Sequence, residues 1–133
     1  MKKIDKELIK EIKSYNPSVE TIESLIENGA NVNAKDEDIN TPLHYACINK
    51  KINIKTIKFL IKKGANVNAK NFCRTTPLLL TCILGYFKKA KLLLKKGAEA
   101  NVKSDDRCTP FDEASSWRDL KIIKLLKENG AKE

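Results

Sequence analysis

The chain has 133 residues, of which 41% are hydrophobic and 32% charged. This is the length of one ordinary domain with enough apolar material for a core, which argues against wholesale disorder, and no run of eighteen apolar residues offers a membrane span. Net charge is +9, from 23 Lys and only 3 Arg against 17 acids, which raises nucleic acid as a partner beside the plainer reading of solvated lysines on exposed helix faces.

The first segment, MKKIDKELIKEIK, starts with lysines but has charged residues in every apolar stretch. It lacks the apolar centre of a signal peptide and reads as an amphipathic helix, with Ile4, Leu8, Ile9 and Ile12 on one face. An intracellular, cytoplasmic protein is the expectation, with export lacking a cleaved signal left open. Asn16-Pro17 forms a cap and first-position pair for a second helix, whose buried side is Val19, Ile22, Leu25 and Ile26. Gly29 ends that helix by supplying a left-handed residue.

From Gly29 onward the chain repeats itself. GANVNAK stands at 29–35 and again at 64–70, GAEANVK at 97–103, and GAK at 130–132. The glycines are 35, 33 and 33 residues apart, and TPLH at 41–44, TPLL at 76–79 and TPFD at 109–112 keep step with them. Thr before Pro fits a helix start, because the hydroxyl caps free N–H groups and Pro is preset for the first helical position. The spacing predicts first helices at 42–49, 77–84 and 110–117, and second helices at 53–63, 87–96 and 120–129. The second helices carry apolar residues at helical spacing: Ile54, Ile57, Leu60 and Ile61, then Ala90, Leu93 and Leu94, then Ile122, Ile123, Leu125 and Leu126, with lysines on the other face. The extra two residues of the first long repeat fall near 49–53. Each helix pair has apolar residues on more than one side and must stack on neighbours to bury them. The divisions are an N-terminal capping repeat at 1–40, a repeat with a two-residue insertion at 41–75, a repeat at 76–108, and a truncated C-terminal capping repeat at 109–133.

The stretch TPLHYAC…IKTIKFLIKKGANVNAK resembles the ankyrin repeat, and the likeness runs over essentially the whole chain. The resemblance implies an all-α solenoid of stacked antiparallel helix pairs with projecting β-hairpin loops. It implies a non-enzymatic module that binds a partner protein through its concave face and hairpin tips. The glycine that often precedes the TP pair is replaced by Ile39, Arg74 and Arg107, so these tips are expected to turn differently or to move more. Arg118 stands where an inter-helix glycine survives as Gly85, and Leu79 and Asp112 replace the histidine of TPLH.

His44, the only histidine, has no implied nucleophile or orienting carboxylate, and the resemblance makes it structural. No catalytic motif occurs, and no catalytic, cofactor or metal residue is assigned. The cysteines at 47, 73, 82 and 108 lack zinc-site spacing. Cys47 and Cys82 read as buried thiols in first helices, and Cys73 and Cys108 as members of neighbouring fingers too far apart to bond. By position in the repeat, the partner-binding residues are Glu37, Asp38 and Asn40 on the first finger, Phe72, Cys73 and Thr75 on the second, and Asp105, Asp106 and Cys108 on the third. Ile48 and Asn49, Ile83 and Leu84, and Ser116 and Trp117 end the first helices. Phe72 and Trp117 are the aromatic anchors among them. The alternatives are a weak nucleic-acid or anionic-surface binder using a Lys-rich convex face, and an accessory scaffold subunit of an enzyme. Lysine without arginine lacks the bidentate donors favoured for phosphate and base recognition, so nucleic acid is not the expected partner, and the chain is expected to be a monomer. The resemblance also marks Asn33, Asn68 and Asn101 as positions hydroxylated in some relatives, although bonding to neighbouring loop backbone is the simpler role.

Overall fold

Thr41, Thr76 and Thr109 each start a helix by the same device. Their hydroxyls accept from the backbone N–H of His44, Leu79 and Asp112 respectively, and Pro occupies the first turn each time. In the computed structural model, which describes residues 1–133, the chain forms eight helices and no strand. They are α1 (Lys3–Lys13), α2 (Val19–Glu27), α3 (Pro42–Ile48), α4 (Ile54–Lys62), α5 (Pro77–Leu84), α6 (Phe87–Lys95), α7 (Pro110–Ser116) and α8 (Leu120–Glu128). Six of these lie within a residue of the ends that the spacing predicts. The four repeats thus become four helix–turn–helix pairs.

The helices fall into two compact units, Met1–Asn66 and Val67–Glu133. In the first unit α1 packs on α2 and α3, and α3 on α4. Leu8, Ile12, Ile22, Leu43, Ile57 and Leu60 are fully buried there. In the second unit α5 packs on α6 and α7, and α8 on α7 and α6, with Leu78, Leu93, Ile122 and Leu126 fully buried. Burying one such side chain stabilises by about 1.5–3 kcal/mol. No single pair has enough of these contacts alone, which is why the apolar residues lie on two sides of each first helix.

Three expectations need correction. The second helix is capped by Ser18, not by Asn16-Pro17: Ser18 Oγ accepts from Thr21 N at 3.2 Å, and Glu11 Oε2 accepts from Ser18 N at 2.8 Å. A serine with two such bonds outcompetes the upstream asparagine as the helix start, and Val19, now the first helical residue, is 44% exposed. The fingers are not β-hairpins by hydrogen bonding. Each is a tight turn closed by a cross-bond such as Asp36 N to Asn40 O at 3.1 Å, with one further backbone bond inside it at the tip and no strand. The side chains of Asp36 and Asn71 take further N–H groups of their own turns, at residues 38 and 40 and at residues 73 and 75.

The third correction concerns the finger tips. Ile39, Arg74 and Arg107 all adopt the left-handed conformation that glycine would adopt, with φ of 62°, 59° and 64°. The same bond closes each tip: the N–H groups of Ile39, Arg74 and Arg107 donate to Asp36, Asn71 and Ser104 carbonyls at 3.0, 2.9 and 2.8 Å. The turn geometry therefore survives loss of the glycine, at a backbone cost of about 1–2 kcal/mol per residue. Arg118 likewise takes a φ of 55° where Gly85 takes 74°.

The repeated asparagines hold successive repeats together. Asn33 Nδ2 donates to Gly64 O at 2.8 Å while its Oδ1 accepts from Asn66 N at 2.8 Å. Asn68 does the same to Gly97 O and Glu99 N, at 3.1 and 2.8 Å. Asn101 repeats the pattern with Gly130 O and Lys132 N, at 3.0 and 2.8 Å. The phrase Gly-Ala-x-x-Asn recurs because its glycine ends one helix and its partner asparagine, one repeat earlier, clamps that ending. In the first repeat Asp5 of α1 takes the place of the clamp, accepting from Asn31 N at 2.7 Å.

Candidate interaction surface

Of the large apolar side chains that the core leaves outside, Ile39 and Phe72 stand on fingers and Ile48, Leu84 and Trp117 at the ends of first helices, whereas Tyr15 lies in the turn after α1 and Val19 and Leu120 start α2 and α8. In the second unit, Phe72 is 70% exposed and Trp117 67%. Leu84 closes α5 and is exposed, and Ile83 beside it is half-buried. Trp117 closes α7 at the repeat position that Leu84 holds in α5, and its N–H donates to Glu113 O at 3.2 Å. Ser116 is exposed with it. Since α5 and α7 pack together, this edge places Leu84 and Trp117 on neighbouring helix ends.

The two fingers of this unit are bonded to each other. Asp105 N donates to Cys73 O at 3.0 Å. Asp105 and Asp106 are exposed, as is Cys73, whereas Thr75 and Cys108 are half-buried. All four cysteines are free thiols. Cys47 and Cys82 are buried in α3 and α5 as expected, and burial pushes the Cys82 thiol up to about 12.

In the first unit Glu37 and Asp38 are exposed on the finger and Asn40 is half-buried. Ile48, the last residue of α3, is exposed, but the Asn49 side chain is engaged internally: its Nδ2 donates to Ile12 O at 2.8 Å and to Ser14 O at 3.1 Å. Position in the repeat could not reveal this, because the bond partners belong to α1 and the turn after it. Position also passed over Tyr45. Its hydroxyl donates to Asp36 Oδ2 in a short hydrogen bond and accepts from Asn40 Nδ2 at 3.3 Å. Lys13 Nζ sits 4.9 Å from the centre of its ring. Burial alone would raise the Asp36 carboxyl, but Tyr45, the N–H groups of Asn40 and Asp38, and nearby Lys13 together hold it below the usual range. Burial and the Asp36 carboxylate push the Tyr45 hydroxyl up to about 12.

His44 is 1% exposed and serves the helix start. Thr41 N donates to its Nδ1 at 3.0 Å, completing a reciprocal cap. Asp112 does the same job in the last repeat, accepting from Thr109 N at 2.9 Å. A histidine and an aspartate are interchangeable here because each offers an acceptor at the third helical position.

The family model describing ankyrin repeats in three copies matches residues 12–71 and 55–133. The chain belongs to the ankyrin repeat family. Ankyrin repeats are generally protein-interaction modules and generally not enzymes. Among curated proteins, the chain is similar to a Caenorhabditis elegans homolog of ankyrin repeat and LEM domain-containing protein 1, 51% identical over 39 residues. That stretch covers 29% of this chain and 6% of the relative. The ankyrin markers Thr-Pro and Gly-Ala-x-x-Asn are thereby accounted for as capping and clamping devices, which leaves the exposed, non-repeating side chains as what distinguishes this member. No helix is long and apolar enough to cross a membrane.

Proposed function

We propose that this ankyrin protein is a non-enzymatic module that binds a partner protein through its finger tips and first-helix ends. Exposure of Phe72 and Trp117, 70% and 67%, carries the reading. Aromatic rings left in water at finger and helix-end positions are the side chains that supply most binding energy when a partner desolvates them. Around them, Leu84 and Ile83 add apolar area and Asp105 and Asp106 add charge at the rim. In the first unit Ile48, Glu37 and Asp38 hold the equivalent positions. The capped turns and asparagine clamps keep these side chains on rigid supports, which lowers the ordering cost of binding.

The test is capture from lysate of the source cell by immobilised wild-type chain and by Phe72→Ala and Trp117→Ala variants, with Kd then measured for the captured protein. Each substitution weakens binding by about 2 kcal/mol or more, roughly thirtyfold, if these are anchors. Wild-type affinity in both variants would refute this surface. Retention of nucleic acid instead of protein, with affinity falling steeply on a log–log plot against salt, would favour the Lys-rich face as a polyanion binder.

A further inference from the structure

The turn between α3 and α4, residues 49–53, is longer than the turns 85–86 between α5 and α6 and 117–119 between α7 and α8, and equals in length the turn 14–18 between α1 and α2. The added length is not slack. Asn49 Nδ2 ties it to Ile12 O and Ser14 O, Asn49 Oδ1 accepts from Lys51 N at 3.0 Å, and Ile52 is 2% exposed. The insertion is thereby docked against the end of α1, and a cleft of about 360 Å³ opens between them.

This cleft is lined by Lys13, Tyr15, Tyr45, Ile48, Lys50 and Lys51, together with Ser14 and Asn49, and no acid is among the lining side chains. Lys13 Nζ lies 4.9 Å from the Tyr45 ring centre and Lys51 Nζ 5.1 Å from that of Tyr15. The aromatic rings thus hold two of the three ammonium groups on the cleft walls. Tyr15 is 87% and Ile48 39% exposed, so apolar surface is open to solvent in the same lining as the charges. The carboxylate of Asp36 accepts from the Tyr45 hydroxyl and from the N–H groups of Asp38 and Asn40 and attracts Lys13, and Glu37 and Asp38 line the adjoining cleft that shares Lys13 and Tyr45. Three ammonium groups beside exposed apolar surface are complementary to carboxylates flanking an apolar side chain. Lysine ammonium groups are point charges that attract carboxylate and phosphate alike, and it is the exposed apolar surface of Ile48 and Tyr15 beside them that favours a peptide.

We propose that this cleft docks an acidic peptide segment of the partner protein, its carboxylates meeting Lys13, Lys50 and Lys51 and an apolar side chain resting on Ile48 and Tyr15. This deepens the protein-binding reading, on which it rests, by naming the chemistry of one recognised segment.

The probe is a displayed library of random decapeptides, selected on the full chain. Selected peptides are enriched in Asp and Glu next to an apolar residue. A selected peptide then binds Lys13→Gln/Lys50→Gln/Lys51→Gln about tenfold or more weakly, the sum of three modest exposed ion pairs. An unchanged thermal melt of the triple variant shows that the loss is not unfolding. Selection without acid enrichment, or equal binding by the triple variant, overturns the proposal. So does competition of the selected peptide by phosphatidylserine vesicles or single-stranded RNA bound more tightly than the peptide itself, since the cleft would then serve a bilayer or a polyanion. Phe72→Ala/Trp117→Ala keeps the acidic selection, so failure here is separable from failure of the aromatic anchors.

Discussion

Asn68 and Gly97 are 29 residues apart in the chain and joined by a hydrogen bond of 3.1 Å from the asparagine amide to the glycine carbonyl. The same side chain accepts from Glu99 N. One residue therefore satisfies both an orphan carbonyl at a helix end and the N–H that follows it, and the arrangement recurs at Asn33 and Asn101.

Asn68→Ala removes both bonds and destabilises the chain by about 1–2 kcal/mol, the net worth of two part-solvated hydrogen bonds. Asn68→Asp keeps the acceptor for Glu99 N but sets a carboxylate oxygen against Gly97 O in place of the donor, so it too is less stable than wild type. Urea unfolding followed by circular dichroism reads both. A midpoint for Asn68→Ala indistinguishable from wild type would show that the clamp contributes nothing.

Ile39 is a β-branched residue at φ 62°, and Gly97 is a glycine at φ 97° with nothing within 4 Å of where a Cβ would stand. Opposite substitutions should have opposite signs. Ile39→Gly relieves a left-handed strain of about 1–2 kcal/mol while adding unfolded-chain entropy of about 0.5–1 kcal/mol, so stability rises by up to about 1 kcal/mol. Gly97→Ala meets no steric neighbour yet loses about 1 kcal/mol or more from backbone strain alone. Loss of stability in Ile39→Gly would mean that the Ile39 side chain contributes more than its backbone costs.

Tyr45→Phe leaves Asp36 without its hydroxyl donor. The folded pKa of Asp36 is lowered, so its contribution is present above the unfolded carboxyl value and is lost as pH falls through the folded one. Tyr45 has the reverse sense. Its raised value means that its contribution is present below its unfolded value and fades as pH climbs toward about 12. The variant should be less stable by about 0.5–1.5 kcal/mol at neutral pH, with the gap to wild type narrowing in acid. It should also lose the latest tyrosinate step in ultraviolet absorbance. A gap that does not change on acidification would dissociate the hydroxyl from the carboxylate.

Much of this molecule can be read from local spelling. Thr-Pro starts helices and Gly ends them, whatever lies beyond, because capping and left-handed closure are settled within four or five residues. The apolar spacing of α4, α6 and α8 needs only the helical period. Ser18 could be mistaken for the residue after a cap because Asn16-Pro17 is an equally good local signal, and the choice was made by Glu11 reaching from α1. The tips at Ile39, Arg74 and Arg107 could not be read from residue preference. Their left-handed turns are imposed by bonds on either side, strong enough to override the preference for glycine.

The candidate surface divides in the same way. The exposure of Phe72 and Trp117 was legible, since the first is an aromatic at a tip where a polar residue is usual and the second is the only tryptophan, at a surface-facing position, and both stand exposed. Asn49 belonged by position to the same face, yet its side chain is held by α1, and Tyr45, Lys13 and Tyr15 gave no sequence signal because they meet only when the 49–53 turn is tied to the end of α1. The sequence by itself determined the helix pairs, their number and their family, since these follow from periodic, short-range rules repeated in phase. Only the tertiary structure decided which polar side chains are used internally and which charges share a cleft, since hydrogen bonds and charge fields depend on distance in space and the residues involved lie up to 37 positions apart.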